Sequence, residues 1–235
     1  MARVFSVHPF HPRAADHHRR WCQEIRARRH EFATSRSAAG MIGQVCWANP
    51  EQRLAIVRTE GPNPALSIER LATPGPDPFD RWYRSEEQVI HGCPLRDAGS
   101  AELLADYSDD AVDPFDLFVA AALPILPGRT EAYVEQIAMG FESGDGQRRL
   151  DRWRLTRMSI WLHRYPGGPY RDPVDFAIYE LIGDIPGMLR ALATSEDPES
   201  LSQRALLRDA FGVDPADGTV PFPLPAFAWS STSST

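Results

Sequence analysis

Two stretches of this 235-residue chain, residues 1–95 and 117–215, carry the same landmarks in the same order at nearly constant offset. Pro12 follows one apolar opening run and Pro127 follows another. The run Met41–Trp47 matches Leu155–Trp161. The segment Ala55–Pro64 matches Ala177–Pro186 without a gap, keeping an Ala, an Ile, a Gly and a Pro in register. Leu71-Ala72-Thr73 answers to Leu192-Ala193-Thr194, Asp77-Pro78 to Asp197-Pro198, and Gly92 to Gly212. A shared order over this length restricts the chain to a duplicated fold. Each copy is long enough to bury a core of its own.

Hydrophobic periodicity orders the elements within each copy. Short β-branched or aromatic runs, Val4–Phe10 and Leu117–Ile125, predict strands. A helix follows over Ala14–Phe32, with His18, Trp21, Cys22, Ile25 and Phe32 on one face. The second copy repeats that stripe as Thr130, Tyr133, Val134, Ile137 and Phe141. Two strands come next, Met41–Ala48 with Leu54–Glu60, and Thr156–Arg164 with Asp175–Ile182. A second helix breaks near Thr73–Pro78 and Thr194–Pro198, and a short fourth strand is expected after Gly92 and Gly212. The order β-α-β-β-α-β is the ferredoxin-like arrangement, an α+β class. Its helices cover one sheet face only. Two copies packed sheet to sheet, as an internal dimeric α+β barrel, would cover the other. Residues 96–116, acidic and rich in small side chains, read as a linker. Residues 216–235 read as a Pro-rich extended tail, because Pro221, Pro223 and Pro225 forbid a helix.

With 32 acidic against 25 basic side chains, and no basic stripe, the chain is not a candidate for nucleic acid as main partner. No run of 18 apolar residues is present, so no membrane span is expected. The start Met1-Ala2-Arg3 enters a strand with no leader pattern. Cys22, Cys46 and Cys93 are odd in number and lack metal-binding spacing, so they read as reduced thiols of a cytoplasmic protein. The expected partner is a small apolar or aromatic molecule, and a homodimer is compatible with the composition.

The run Phe79-Asp80-Arg81-Trp82-Tyr83, followed by Val89-Ile90-His91-Gly92 after a two-strand unit, resembles a family of small actinobacterial proteins. That family pattern also has an acid or amide three residues before a Trp, met here by Gln44 and Trp47. In the second copy Trp161-Leu162-His163 and Pro166-Gly167 match, but Met158 replaces the acid, and the Phe-Asp-Arg-Trp and His-Gly signature is lost. The resemblance implies a tandem ferredoxin-like, dimeric α/β-barrel fold. Its wider superfamily is similar to cofactor-free monooxygenases, polyketide cyclases, muconolactone-type isomerases and haem enzymes. Fold of this kind does not name the reaction.

Four histidines fall close together, His8, His11, His17 and His18. A zinc site would need them to converge, and the adjacent pair His17 and His18 cannot share one helix face. Acid–base chemistry suits them better, since imidazole exchanges protons near neutrality. A pocket between sheet and helices could collect His8 and His18 as acid–base groups, Gln44 as a hydrogen-bond donor, and Trp21 and Trp47 as aromatic walls. The competing reading makes His8 and His18 satisfied core histidines. His91 precedes Gly92 at a helix end, where a charged imidazole would complement the dipole; it is also a candidate substrate contact. In the second copy Trp161, His163 and Tyr179 are candidate substrate contacts on neighbouring strands. His163 is also the sole histidine there that could ligate haem. No dinucleotide or Ser/His/Asp motif is present.

The sequence therefore points to a cofactor-independent enzyme of small-molecule, secondary metabolism, of cyclase, isomerase or monooxygenase type, with no metal. The alternative is a non-catalytic small-molecule-binding or stress-related protein, and a haem enzyme is third. A pocket above about 300 Å³ lined by His8 or His18 would favour the enzyme, and a filled core the alternative. The first copy keeps Gln44, His18 and His91 where the second has Met158, Tyr133 and Phe211, so the site is expected in the first.

Overall fold

A computed structural model describes residues 2–93, 97, 99–108, 117–143, 145–217 and 222–231. The chain forms strand β1 (Ala2–Pro9), helices α1 (Ala15–Ala27) and α2 (Arg29–Ala38), strands β2 (Gly43–Asn49) and β3 (Leu54–Gly61), helices α3 (Pro64–Ala72) and α4 (Pro78–His91), and strand β4 (Glu102–Ser108). The order then repeats: β5 (Leu117–Pro124), α5 (Thr130–Glu142), α6 (Asp145–Trp153), β6 (Leu155–Tyr165), β7 (Val174–Gly183), α7 (Ile185–Thr194), α8 (Pro198–Phe211) and β8 (Pro225–Ser230). The fold is α+β, with one four-stranded sheet in each of two compact units. The first long helix is in two pieces: α1 ends at Ala27, Arg28 separates the two, and α2 carries Phe32. Among the described residues no helix is long and apolar enough to cross a membrane.

The duplication extends to the devices that start and stop each element. Asn63 caps α3 by accepting from Leu66 N, and Asp184 caps α7 by accepting from Gly187 N. Asp77 and Asp197 cap α4 and α8 in the same way, each ahead of a proline whose missing N–H costs nothing there. Gly92 and Gly212 close those helices in the left-handed conformation. Arg84 reaches back to the carbonyls of Leu71 and Thr73, and Arg204 to those of Ala193 and Ser195. A Cβ on Gly61 would stand 2.9 Å from the Gly40 carbonyl oxygen, and one on Gly183 would stand 2.5 Å from that of Arg154. Both glycines are therefore fixed by backbone approach.

The fourth strand departs from the simple repeat. The sheets run β1-β3-β2-β8 and β4-β6-β7-β5. Each copy supplies its first three strands to its own sheet, but its final strand joins the sheet of the other copy. By packing, one unit comprises Met1–Ala101, His163–Pro173 and Leu224–Thr235, and the other Glu102–Leu162 with Val174–Pro223. The expected linker thus contains β4, antiparallel to β6 from Glu102↔Leu162 to Ser108↔Arg157. Residues 109–116 lie outside those described. The expected tail contains β8, antiparallel to β2 from Gly43↔Ser230 to Trp47↔Pro225 with a bulge at Cys46/Trp47. Ser230 ends that strand, and Ser231 N donates to Ile42 O. Pairing an otherwise open sheet edge is the physical reason for both strands.

Strand alternation decides what each face carries. In the first unit Ser6 and His8 of β1, Gln44 and Cys46 of β2, and Ala55 and Val57 of β3 share the helix-covered face. Phe5 and Trp47 point the other way, their rings 6.2 Å apart and stacked. In the second unit Met158, Ile160 and Leu162 of β6 and Ala177, Tyr179 and Leu181 of β7 meet the helices, within a core that includes Tyr133, Ile137, Leu207 and Phe211.

Candidate functional site

Three imidazoles meet beneath the helices of the first unit. His8 comes from β1, His18 from the buried stripe of α1, and His91 from the last turn of α4; all three are buried. His91 stands edge-on to both others, at 5.6 Å from His8 and 6.0 Å from His18 between ring centroids. Trp21, one helical turn beyond His18, closes against His18 at 5.8 Å and His91 at 6.3 Å. Phe10 stacks on His18 at 5.2 Å.

Burial pushes the His8 imidazole well below its ordinary range, and the nearby imidazoles of His91, His163 and His18 push the same way. Burial also brings His91 down to about 3, helped by His18 and opposed by the Pro9 carbonyl. His91 Nδ1 donates to Pro9 O at 3.1 Å. The expectation of a charged imidazole complementing a helix end is therefore corrected. His91 is a neutral tie between α4 and β1, because desolvation outweighs the dipole at a buried site. His8 Nε2 bonds Ser6 Oγ at 2.7 Å, and among the described residues its Nδ1 has no partner.

Two thiols complete this cluster. Cys22 lies one turn from His18, with its sulfur 3.6 Å from Nδ1, and Cys46 faces it from β2. The donor atoms of His18, Cys22 and Cys46 all fall within 4.8 Å of one another, and all three residues are buried. Cys22 is the more acidic of the two thiols. Cys46 bonds to it, while His18 and Arg26 favour its negative charge against the cost of burial. Cys46 is pushed up by the same contact and by burial.

A cavity of about 230 Å³ opens beside this group. Phe10, Ala15, Ala48, Pro50 and Ala226 supply apolar wall, and His18 and Cys22 supply its reactive face. The exposed residues Arg19, Gln23 and Arg26 stand at its rim, and Arg26 also bonds the Ala226 carbonyl of β8.

The structure separates the other residues expected in one pocket. Gln44 accepts from Arg36 Nε at 2.9 Å and does not line the cavity. Trp47 is on the opposite sheet face, because positions three apart on a strand point to opposite sides. Trp161 and His163 likewise lie on the face of β6 away from the helices, whereas Tyr179 faces them and accepts from Tyr133 Oη at 2.8 Å. His163 belongs by packing to the first unit. His11 stands edge-on to Tyr170 at 5.1 Å and His17 pairs with Glu86, so the four N-terminal histidines do not converge.

Sequence reasoning missed a second buried polar group. Arg36 is fully buried, with its guanidinium 4.4 Å from the Phe32 ring centroid and 4.1 Å from that of Tyr83. Ser35 Oγ accepts from Arg36 at 2.8 Å and donates to Asp80 at 2.5 Å, and Asp80 lies 3.8 Å from Arg36. Burial pushes the neighbouring Glu87 carboxyl up to about 8, against the pull of Arg36 and Arg84. The Phe-Asp-Arg-Trp run is thereby explained by packing: Phe79 is core, Asp80 faces Arg36, and Trp82 with Phe79 receives the Arg28 guanidinium. The thiols were legible only in part. Cys22 follows His18 by four residues, a same-face spacing, but nothing in the sequence brings Cys46 to them.

The second unit offers an internal comparison. Tyr133 and Phe211 stand where the first unit has His18 and His91, again edge to face, at 5.2 Å. Ile137 and Ile160 stand where it has Cys22 and Cys46, and Leu207 where it has Glu87. The second unit has its own cavity, about 50 Å³, lined by Leu123, Ile137, Met158, Ile160, Tyr179 and their apolar neighbours.

No family model matches the chain, and no curated protein matches it. Solved structures do. A "putative monooxygenase" of Fusobacterium nucleatum aligns over 97% of this chain and 94% of its own, at 10% identity and a TM-score of 0.50. An "anthrone oxidase-like protein" aligns over 99% and 94%, at 8% identity and a TM-score of 0.55. At these identities the likeness is one of fold, and these neighbours are of the dimeric α+β barrel type.

Proposed function

We propose that this chain is a cofactor-independent enzyme acting on a small aromatic or polyketide-like molecule, with proton transfer at His18. The observation that carries the reading is the cavity of the first unit, where an apolar wall ends at an imidazole and a thiol. Monooxygenase, cyclase and isomerase reactions share a first step, removal of a proton from an activated carbon or hydroxyl, which a placed imidazole performs. Phe10 offers a ring face to an aromatic substrate, and Arg19 and Arg26 at the rim complement the negative charge that proton loss creates. Oxygenation is favoured among the three because both fold neighbours carry monooxygenase or oxidase names. In that reaction a CH₂ group and dioxygen give a carbonyl and water. The volume favours one ring, since a cavity of about 150 Å³ accommodates benzene.

A second reading, a non-catalytic binding protein, is favoured by one observation. The cavity of about 230 Å³ falls short of the roughly 300 Å³ from which ligand sites usually start.

The test uses ethyl benzoylacetate, a one-ring compound whose CH₂ lies between two carbonyls, and anthrone as probes, with oxygen uptake for turnover and tryptophan fluorescence for binding. The expected result is turnover of the one-ring probe, lost by about 100-fold or more in His18→Phe and kept in His163→Phe. Binding without turnover favours the second reading. Equal loss in both variants, or loss in His163→Phe alone, overturns the assignment of the site.

A further inference from the structure

The structure assigns a binding site for a thiophilic metal cation, of the zinc class, to His18, Cys22 and Cys46. One imidazole and two thiols converge in the interior, with their donor atoms all within 4.8 Å of one another. Two of them are one helical turn apart on α1, which stacks them on a single face. The third comes from the helix-covered face of β2. Tetrahedral zinc with Zn–S near 2.3 Å and Zn–N near 2.0–2.1 Å holds its sulfur and nitrogen about 3.5 Å apart. Cys22 Sγ and His18 Nδ1 are 3.6 Å apart, so this pair needs almost no rearrangement to share a cation.

The donor chemistry selects the ion. Thiolates and imidazole prefer zinc, cadmium, cobalt or copper(I), whereas magnesium and calcium require carboxylates and carbonyls. Two thiolates also balance a divalent charge inside a buried site, where an uncompensated ion would be costly. Three protein donors leave one position of a tetrahedron open, the arrangement of zinc sites that take a water or a substrate. His18 and Cys22 line the cavity, so that position has space beside it.

The second unit shows that the fold does not require these groups. Its equivalent positions are Tyr133, Ile137 and Ile160, all buried in an ordinary apolar core. Packing alone is met by isoleucine at the two thiol positions. The sulfurs and the imidazole of the first unit are therefore not dictated by the scaffold.

Occupancy has a consequence that rests on the proposed function. A cation on His18 takes the nitrogen that would accept the substrate proton, so zinc suppresses proton transfer at this site. The cation site itself stands whether or not the protein turns over any substrate.

The experiment is a titration of the full-length, reduced, chelator-washed protein with cadmium and with cobalt, followed by ultraviolet thiolate-to-cadmium charge transfer and by the visible bands of tetrahedral cobalt. One equivalent is expected to saturate both signals, and zinc to displace them. Cys22→Ser, Cys46→Ser and His18→Gln should each weaken binding by more than about tenfold, and Cys93→Ser should leave it unchanged. Absence of saturable charge transfer in the parent protein overturns the site, whatever the folding of the variants. So does a signal that survives both Cys22→Ser and Cys46→Ser, or a Cys22–Cys46 disulfide whose reduction yields no cation uptake. Zinc uptake without loss of turnover upholds the site and refutes His18 as the base. Absence of turnover with every substrate refutes the enzymatic reading while the absorbance titration still decides the site.

Discussion

Glu87 is buried in the first unit beside a fully buried guanidinium, and replacing it with glutamine should change how stability depends on pH. Its carboxyl moves from 4.5 to about 8, chiefly because burial removes water from the charged form; Arg36 and Arg84 oppose the shift only partly. Between those values the folded protein holds a proton that the unfolded chain has released. The stabilising contribution of the raised carboxyl is complete below about 4.5, declines as pH rises, and is gone above about 8. At about 1.4 kcal/mol per pH unit the full span corresponds to about 5 kcal/mol, an upper bound that side-chain relaxation and water entry reduce. Glu87→Gln keeps the shape and removes the titration. Denaturant unfolding of the two proteins should give similar stability at pH 5. At pH 8.5 the variant should be the more stable by about 2–5 kcal/mol. The same fall in stability from pH 5 to pH 8.5 in both proteins would refute the reasoning, since Glu87 would then not be the group that titrates. Leu207 at the equivalent position of the second unit shows an uncharged side chain in the same architectural place.

Two further outcomes follow from the packing. Phe227 of β8 is buried against Phe32 at 5.4 Å, so Phe227→Ala should cost about 3 kcal/mol in denaturant unfolding; a change near zero would mean that β8 does not complete this sheet in solution. The buried bond between Tyr133 and Tyr179 predicts a loss of about 1–2 kcal/mol for Tyr133→Phe, measurable as a shift of the unfolding midpoint. No loss would indicate that the Tyr179 hydroxyl finds another partner.

Much of the architecture is local and was therefore legible. Alternation set the first three strands of each copy, and the helix breaks at Thr73–Pro78 and Thr194–Pro198 fall where proline and capping aspartate put them. The order of landmarks disclosed the duplication. It also favoured the first copy as the polar one, because Tyr133 for His18 and Phe211 for His91 are differences visible without coordinates. His18 and Trp21 share a helix face by simple spacing, and the structure does bring them together.

Other features depend on contacts between distant segments, which no local pattern encodes. The run Glu102–Ser108 looked like a connector because its acids and small residues suit solvent, yet backbone pairing with β6 requires only a compatible edge. The proline-rich tail contains β8 for the same reason, since Pro225 is the first residue of the strand and stands opposite Trp47 of β2. Trp47 leaves the pocket on a matter of parity, since three positions along a strand from Gln44 reverse the face; Gln44 keeps the helix-covered face but is taken up by Arg36. The charge state expected of His91 failed because desolvation is a property of everything packed around a residue. The meeting of Cys46 with Cys22 and His18 likewise exists only after β2 docks under α1. By itself the sequence determined the elements, their order and their repetition, all of which follow from the chemistry of neighbouring residues. Only the tertiary structure decided which strands complete each sheet and which side chains share the cavity, because those are set by long-range packing and by burial.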